Sequence, residues 1–419
     1  MSKAFKLSAA CAVLAVALAG PAHAIPESPY ANQTPYLDPA ATPLTPPAGY
    51  DMVFIETVGR HGSRSMTSNS AETRALKIWN TAKSKGKLTT IGQSFDDDLA
   101  DFQEAEGVVR YGRLTTIGKA EWTGIGKRTA ENYEPFFSSL APDQIAYVTS
   151  TYTRTRQSAT AMSAGIKSVI PGLPTYVPKV EDEAKALLEL PVGSTSAGRS
   201  AIAKIKNSYD VRLAAKHVLR TMYTKSYVDS LDAPVAAALD IYVIYSTGPG
   251  MADDTDVTFN DYVPVADAVV LGYVKDAEKF YEYGPGVAGQ TNSYRAAKPL
   301  LNDFFARLDA RVAGGSTAAV FRHGHGETTV PFAALIRVPG SDQHASASSY
   351  YTRSNNPWRG RIAALPAGST EWVAYKKSGS PTLVTMRFNE VPKKFRASCT
   401  PTVPNGYFYT VAELKDCLL

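Results

Sequence analysis

The run Met52-Val53-Phe54-Ile55-Glu56-Thr57-Val58, stopped by Gly59, constrains this chain more than any other stretch. Every position but Glu56 is apolar or β-branched, which predicts an extended strand buried on both faces. Such a strand needs helices above and below it, the arrangement of an α/β protein. The residues just after Gly59 are equally restrictive. Arg60-His61-Gly62-Ser63-Arg64 places two guanidinium groups and an imidazole at the strand's end, where open α/β sheets set their active sites.

Further strands are predicted at 145–149, 317–321 and 382–388. Helix-compatible patterning covers 71–85, 116–133, 158–166, 179–190, 197–229, 275–281 and 295–312. The stretch 235–245 is mixed, its β-branched residues pulling toward strand and its alanines toward helix. Between the last two strands lie Gly/Ser/Asn-rich loops at 340–357 and a Trp-containing segment at 371–375, to which patterning assigns no element. The chain therefore reads as an α/β core interrupted by a mainly helical region. No solenoid repeat is evident, but the tripeptide Arg-His-Gly occurs at both 60–62 and 322–324.

Residues 1–24 carry Lys3 and Lys6, an apolar stretch over 9–20 and the tripeptide Ala22-His23-Ala24. That is the make-up of an export signal cleaved before Ile25. The apolar stretch is shorter than the ~20 residues that span a bilayer. Cys11 stands too near its start to mark a lipidation site. Removing those 24 of 419 residues leaves 395, and the net charge falls from +5 to +3 because two lysines and no acid go. The expected protein is exported, periplasmic or secreted, without a membrane anchor after cleavage. Its mild charge does not suggest a nucleic-acid partner. Residues 25–49, rich in Pro, Ala and Thr, predict an extended arm. The expected division is a signal peptide at 1–24, the arm at 25–49, an α/β core at 50–165 and 313–419, and a helical insert at 166–312. Cys399 and Cys417, 18 residues apart in an exported chain, suit a disulfide that closes a terminal loop; two free cysteines are the alternative.

Three loops carry chemistry. Arg60 and Arg64 offer planar forks of donors that match phosphate oxygens, and His61 can attack phosphorus through a neutral ring nitrogen. Arg154 and Arg156 come after the strand at 145–149; they share a direction only in an extended segment and diverge at a helix start. The stretch Phe321-Arg322-His323-Gly324-His325-Gly326-Glu327 comes after another strand. His325 and Glu327 share a face if that segment stays extended, and Glu327 is placed to protonate a leaving alkoxide and then activate water. His323, His325 and Glu327 have zinc-ligand chemistry but not the helical His-Glu-x-x-His spacing, and the nearby arginines oppose a cation. No metal is expected.

Together these loops resemble the histidine acid phosphatase branch of the histidine phosphatase superfamily, most closely its multiple inositol polyphosphate phosphatases and phytases. Arg60-His61-Gly62-Ser63-Arg64 matches the RHGxR nucleophile motif, and Arg154, four residues before Ser158, matches the arginine that completes the phosphate pocket. His325-Gly326-Glu327-Thr328-Thr329-Val330-Pro331 resembles the HAET…P proton-donor motif, with Gly326 for the usual alanine. Met66 stands where a proline is common. The segments 275–286 and 387–399 resemble the subgroup's helical region and cysteine-bearing tail.

The resemblance implies a three-layer α/β core with a central mixed sheet and an inserted, mainly helical cap. It implies His61 as nucleophile, Glu327 as proton donor and base, and Arg60, Arg64, Arg154 and His325 as phosphate ligands, with no cofactor. His323 is expected to shape the pocket or meet a structural partner. The implied substrates are small anionic phosphate esters, preferably phytate and lower inositol polyphosphates. Lys83, Lys85, Lys87, Arg110, Arg113, Lys119, Arg156 and Lys298 are candidates for additional substrate contacts. The alternatives are a broad-specificity periplasmic acid phosphatase acting on sugar phosphates or nucleotides, and an inactive exported anion-binding protein.

Overall fold

The structure, a computed structural model, describes residues 27–419. The expected signal peptide lies outside the described residues, as do Ile25 and Pro26 of the arm.

The constraining run forms β1 (Asp51–Arg60), a central strand of a mixed sheet. The other strands are β2 (Ile145–Thr149), β3 (Ala319–Gly324), β4 (Ser369–Lys376), β5 (Leu383–Phe388), β6 (Val391–Lys393) and β7 (Tyr409–Thr410). Their order is β2-β3-β1-β4-β5-β6, with β7 on β5. β1, β2 and β3 run parallel, and β4 and β5 continue the sheet antiparallel. The segment at 371–375 is thus a strand. Its alternation of Trp372 and Ala374 against Val373 and Tyr375 serves two buried faces.

That period of two sorts the core. Phe54, Val58, Val320, Trp372 and Met386 pack on one face against Phe304 and Phe332, from the helices Lys298–Val312 and Gly326–Leu335. Ile55, Phe321 and Val373 pack on the other against Trp122, Ile125, Met162 and Ile166, from the helices Thr116–Asn132 and Thr153–Val169. Each large side chain buried in these layers contributes about 1.5–3 kcal/mol. The first face also holds a charged cluster. Arg322 is fully buried, with Nη1 3.0 Å from Glu56 Oε2, Nη2 2.7 Å from Asp303 Oδ2 and its guanidinium over the Phe304 ring. Removing one member would strand a buried charge, at a cost of about 3–5 kcal/mol.

A second lobe is helical, built on Ser70–Ser84, Phe95–Val109, Ser196–Lys206, Tyr209–Met222, Pro234–Met251 and Val265–Glu282. Trp79, Phe95, Met222, Ile241, Leu271, Phe280 and Trp358 share its core. The lobe therefore draws on 70–109 and on Tyr351 and Trp358, outside the expected 166–312, while the helix Lys298–Val312 lies on the sheet. The ambiguous 235–245 is helical, because burial of Ile241, Tyr242 and Ile244 outweighs β-propensity and Pro234 suits a first turn. By contrast, 179–190 forms only the short turns Val180–Asp182 and Lys185–Leu188. The Ala184 N–H donates to the Thr149 carbonyl at 2.8 Å and ties this stretch to the edge of β2. Cys399 and Cys417 are joined in a disulfide, which fastens the helix Val411–Leu418 beside the sheet.

Candidate active site

β1 and β3 are in parallel register, with Arg60 opposite Gly324, so the first and third loops leave the same sheet edge together. The His61 N–H donates to the Gly324 carbonyl at 2.9 Å and binds the two loops to each other. The first loop is pressed against the helix Thr116–Asn132 at two glycines. A Cβ on Gly59 would lie 2.4 Å from the Trp122 ring, and one on Gly62 would lie 2.3 Å from the Gly118 carbonyl oxygen. Trp122 Nε1 donates to the Arg60 carbonyl at 3.1 Å. Glu121 accepts from both the N–H and the hydroxyl of Ser63, at 2.6 and 2.7 Å, and from the Tyr36 N–H of the arm at 2.8 Å. The loop is held in place by helix and arm alike.

His61 is buried, and its Nδ1 lies 2.9 Å from the Gly62 carbonyl. Burial, then Arg60, Arg154, Arg64 and His325, holds its pKa well below the usual histidine value, so the ring is neutral. Around it stand three arginines. Arg60 Nη1 donates to the carbonyls of Asn32 (2.9 Å) and Ala364, and Nη2 to Gln33 Oε1 at 3.3 Å. Arg64 Nη1 donates to the Ser65 carbonyl at 2.7 Å. Arg154 opens the helix Thr153–Val169, lies over the Tyr152 ring and donates to His325 Nδ1 at 3.1 Å. The Nε–H of each arginine is buried without a protein partner. Burial lowers all three pKa values, and repulsion from neighbouring arginines adds to it at Arg60 and Arg64, which fall to about 10 and about 9. Close-set cations with buried spare donors are the chemistry of an anion site.

These groups line one cleft of about 320 Å³ that contains Arg60, His61, Arg64, Arg154 and Glu327. His325 caps the helix Gly326–Leu335, so Glu327 belongs to that helix's first turn and not to an extended segment. Glu327 lines the cleft and His325 does not; the His325 ring borders it from behind, 5.6 Å from the His61 ring and bonded to Arg154. The remaining sequence candidates do not line this cleft. Arg156 diverges from Arg154, as a helix start requires, and pairs with Glu183. Lys83 pairs with Asp96 at 3.3 Å, and Lys85 sits over the Tyr227 ring. Arg110 and Arg113 serve through their carbonyls, which accept from the Ser65 hydroxyl and N–H. Lys119 and Lys298 are exposed elsewhere, and Lys87 also lies outside the lining. His323 is buried edge-on to Trp122, with ring centroids 4.5 Å apart.

Sequence reasoning overlooked the cleft's other wall: Lys275, Lys279 and Tyr283 from the lobe helix, and Asn32 and Gln33 from the arm. Lys275 and Lys279 have the i, i+4 spacing that places two side chains on one helix face, a signal present in the sequence.

A family model described as the histidine phosphatase superfamily (branch 2) matches residues 51–171, which carry the first two loops. No match is found among curated protein sequences. The crystal structure of the Bifidobacterium longum multiple inositol polyphosphate phosphatase in complex with inositol hexasulfate superposes with a TM-score of 0.87. The match has 27% identity and covers 94% of this chain and 97% of that one. Residues 51–171 thus resemble the branch 2 histidine phosphatases, and the whole fold resembles that of the Bifidobacterium enzyme. These are phosphoric monoester hydrolases. More distant structures share the fold: the D. castellii phytase has a TM-score of 0.68 at 12% identity, over 93% of this chain and 84% of that one. The Hafnia alvei phytase in complex with myo-inositol hexakis sulphate has 0.55 at 11%, over 89% and 97%. The two loops within the matched residues 51–171 are among those that converge on His61 here.

Proposed function

We propose that this protein is exported and hydrolyses phosphomonoesters through a phosphohistidine, with inositol hexakisphosphate and lower inositol polyphosphates as its preferred substrates. The observation that carries this reading is the set of three arginines, each with a buried, partnerless Nε–H, around a neutral His61 in one cleft.

The phosphoryl group sits among Arg60, Arg64 and Arg154, which stabilise charge on its oxygens in the transition state. His61 Nε2 attacks phosphorus, and the bond from phosphorus to the ester oxygen breaks. Glu327, protonated, gives its hydrogen to the departing alcohol. As carboxylate it then takes a proton from water; the hydroxide adds to phosphorus, the bond to Nε2 breaks and inorganic phosphate leaves. Glu327 ends protonated, as it began.

Preference for a multiply phosphorylated ring rests on the opposite wall. Lys275 and Lys279 face the cleft while paired with Glu278 at 2.7 Å and Glu282 at 3.3 Å. Glu278 has a second partner in Lys206 at 2.8 Å, so a phosphate that draws Lys275 and Lys279 to itself gains two cations without leaving that carboxylate unpaired. The relative solved with inositol hexasulfate supports the same substrate class. The test is phosphate release from inositol hexakisphosphate, glucose 1-phosphate, AMP and an aryl phosphate at several pH values. Fast release from the first with slow release from the others is expected. Equal rates would favour a broad-specificity acid phosphatase, and binding without release an inactive anion-binding protein.

A further inference from the structure

His325 makes two polar contacts through its ring, and together they fix where its hydrogen sits. Nδ1 lies 3.1 Å from Arg154 Nη2, and Nε2 lies 2.7 Å from Ser150 Oγ. A guanidinium has only hydrogens to give, so Nδ1 accepts. The ring is neutral: burial first, then Arg154, Arg60 and Arg64, push its pKa down to about 3. A neutral imidazole carries one N–H, which is therefore on Nε2 and directed at Ser150.

The surroundings of Ser150 make it the acceptor. Its buried hydroxyl lies 2.9 Å from Thr155 Oγ1, and the Thr155 hydroxyl donates to the Tyr152 carbonyl at 2.7 Å. Thr155 Oγ1 therefore accepts from the Ser150 hydroxyl. The remaining lone pairs of Ser150 Oγ receive the His325 Nε2–H and, at 3.3 Å, the Tyr152 N–H. The Ser150 carbonyl, 3.2 Å from Thr155 Oγ1, is a second acceptor for the Thr155 hydroxyl, so that hydrogen points at a carbonyl either way and the Ser150 hydrogen goes to Thr155 Oγ1. Moving the imidazole hydrogen to Nδ1 would set it against the N–H of Arg154 and leave Nε2 bare.

We propose that Ser150 is a positioning residue: it locks His325 in the Nε2–H form, so that Nδ1 keeps a lone pair toward Arg154 and holds that guanidinium at the cleft. Ser150 itself is absent from the cleft lining and acts only through His325. Tyr152 backs the same arginine with its ring, 4.3 Å away, so Arg154 is fixed from two directions before any anion arrives. In the unliganded site His325 is thus an acceptor that aims an arginine, a different task from the direct phosphate donor implied by the family resemblance. An arriving phosphoryl oxygen takes over the Arg154 N–H that Nδ1 had accepted.

This role rests on the phosphate-binding role proposed for Arg154, yet it can be tested without turnover. Nitrogen-15 shifts of the histidine rings in the intact, unliganded protein are expected to show His325 with a hydrogen on Nε2 and a bare Nδ1. A hydrogen on Nδ1 would overturn the proposal, even for a fully active phosphatase. Affinity for inorganic phosphate supplies the second arm. Ser150→Ala should weaken it about fivefold to tenfold, the effect of one lost hydrogen bond that orders a charged group. The same variant should mix the His325 tautomers, and Ser150→Thr, which keeps the hydroxyl, should restore both readouts. Unchanged phosphate affinity and an unchanged tautomer in Ser150→Ala would reject the role. Should neither variant fold, the wild-type spectrum decides alone.

Discussion

Nδ1 of His61 lies 2.9 Å from the carbonyl oxygen of Gly62, and that contact decides which nitrogen can attack. A carbonyl only accepts, so the hydrogen sits on Nδ1 and the lone pair on Nε2. The pKa of the ring is held far below 6.5, so its neutral form persists as the pH falls through the range where an exposed histidine would protonate. The expected result is that kcat/KM at pH 5 is no lower than at pH 7. An acid limb centred near pH 6.5, abolished together with activity by His61→Ala, would contradict this.

Lys275 and Lys279 lie across the cleft from the reacting groups, so their effect should depend on how many phosphates the substrate carries. Replacing both with Ala is expected to raise KM for inositol hexakisphosphate about tenfold and to leave KM for an aryl phosphate within about twofold. Equal effects on both substrates would mean that the two lysines are scaffold, not specificity.

His323 should make the fold sensitive to acid. It is buried, and its pKa falls from 6.5 to about 3 because the imidazolium cannot be hydrated there. In the unfolded chain it protonates near 6.5. Between those values the unfolded state binds the extra proton, so stability is lost as the pH falls from 6.5 toward 3 and none is lost above. At pH 5 the loss is about 2 kcal/mol. Denaturant unfolding at pH 7.5 and pH 5 should show His323→Phe losing less stability than wild type by about that amount. Identical slopes with pH would refute it.

Two glycines beside the reacting loops should respond in opposite ways. A Cβ on Gly326 meets only Arg60 Nε, at 3.8 Å, an ordinary contact. Gly326→Ala is expected to keep activity within about twofold and to gain about 0.5 kcal/mol, because it restricts the unfolded chain. A Cβ on Gly59 collides with Trp122, so Gly59→Ala should cost at least about 1–3 kcal/mol and disturb Arg60. Thermal unfolding and turnover of the two variants check both statements.

Much of the core could be read directly from residue order. The β1 run announces its own burial, and the short motifs at 60–64, 154–158 and 325–331 are local enough to survive as sequence signals. The sheet edge that unites them was legible only through the rule that α/β strands carry sites at their ends. What escaped depends on distant contacts. Whether a basic residue faces the cleft or a carboxylate partner is settled by the packing of separate elements: Arg156 finds Glu183, while Lys279 reaches the site. The arm shows the same limit. Its proline-rich composition predicts an extended path, and nothing in it reveals that the Asn32 carbonyl accepts from Arg60. The stretch 179–190 has helix-compatible composition, yet the bond from Ala184 to the edge of β2 holds it in short turns.

In the proposed reaction phosphorus passes through Nε2 of His61. The direct measurement is a rapid alkaline quench of the enzyme during turnover of phosphorus-labelled inositol hexakisphosphate, then peptide mapping; Glu327→Gln is included because it should slow hydrolysis of the intermediate. An acid-labile label is expected on the peptide that contains His61, present in Glu327→Gln and absent in His61→Ala. A label that persists in His61→Ala, or turnover with no labelled His61 peptide in wild type and Glu327→Gln alike, would contradict it.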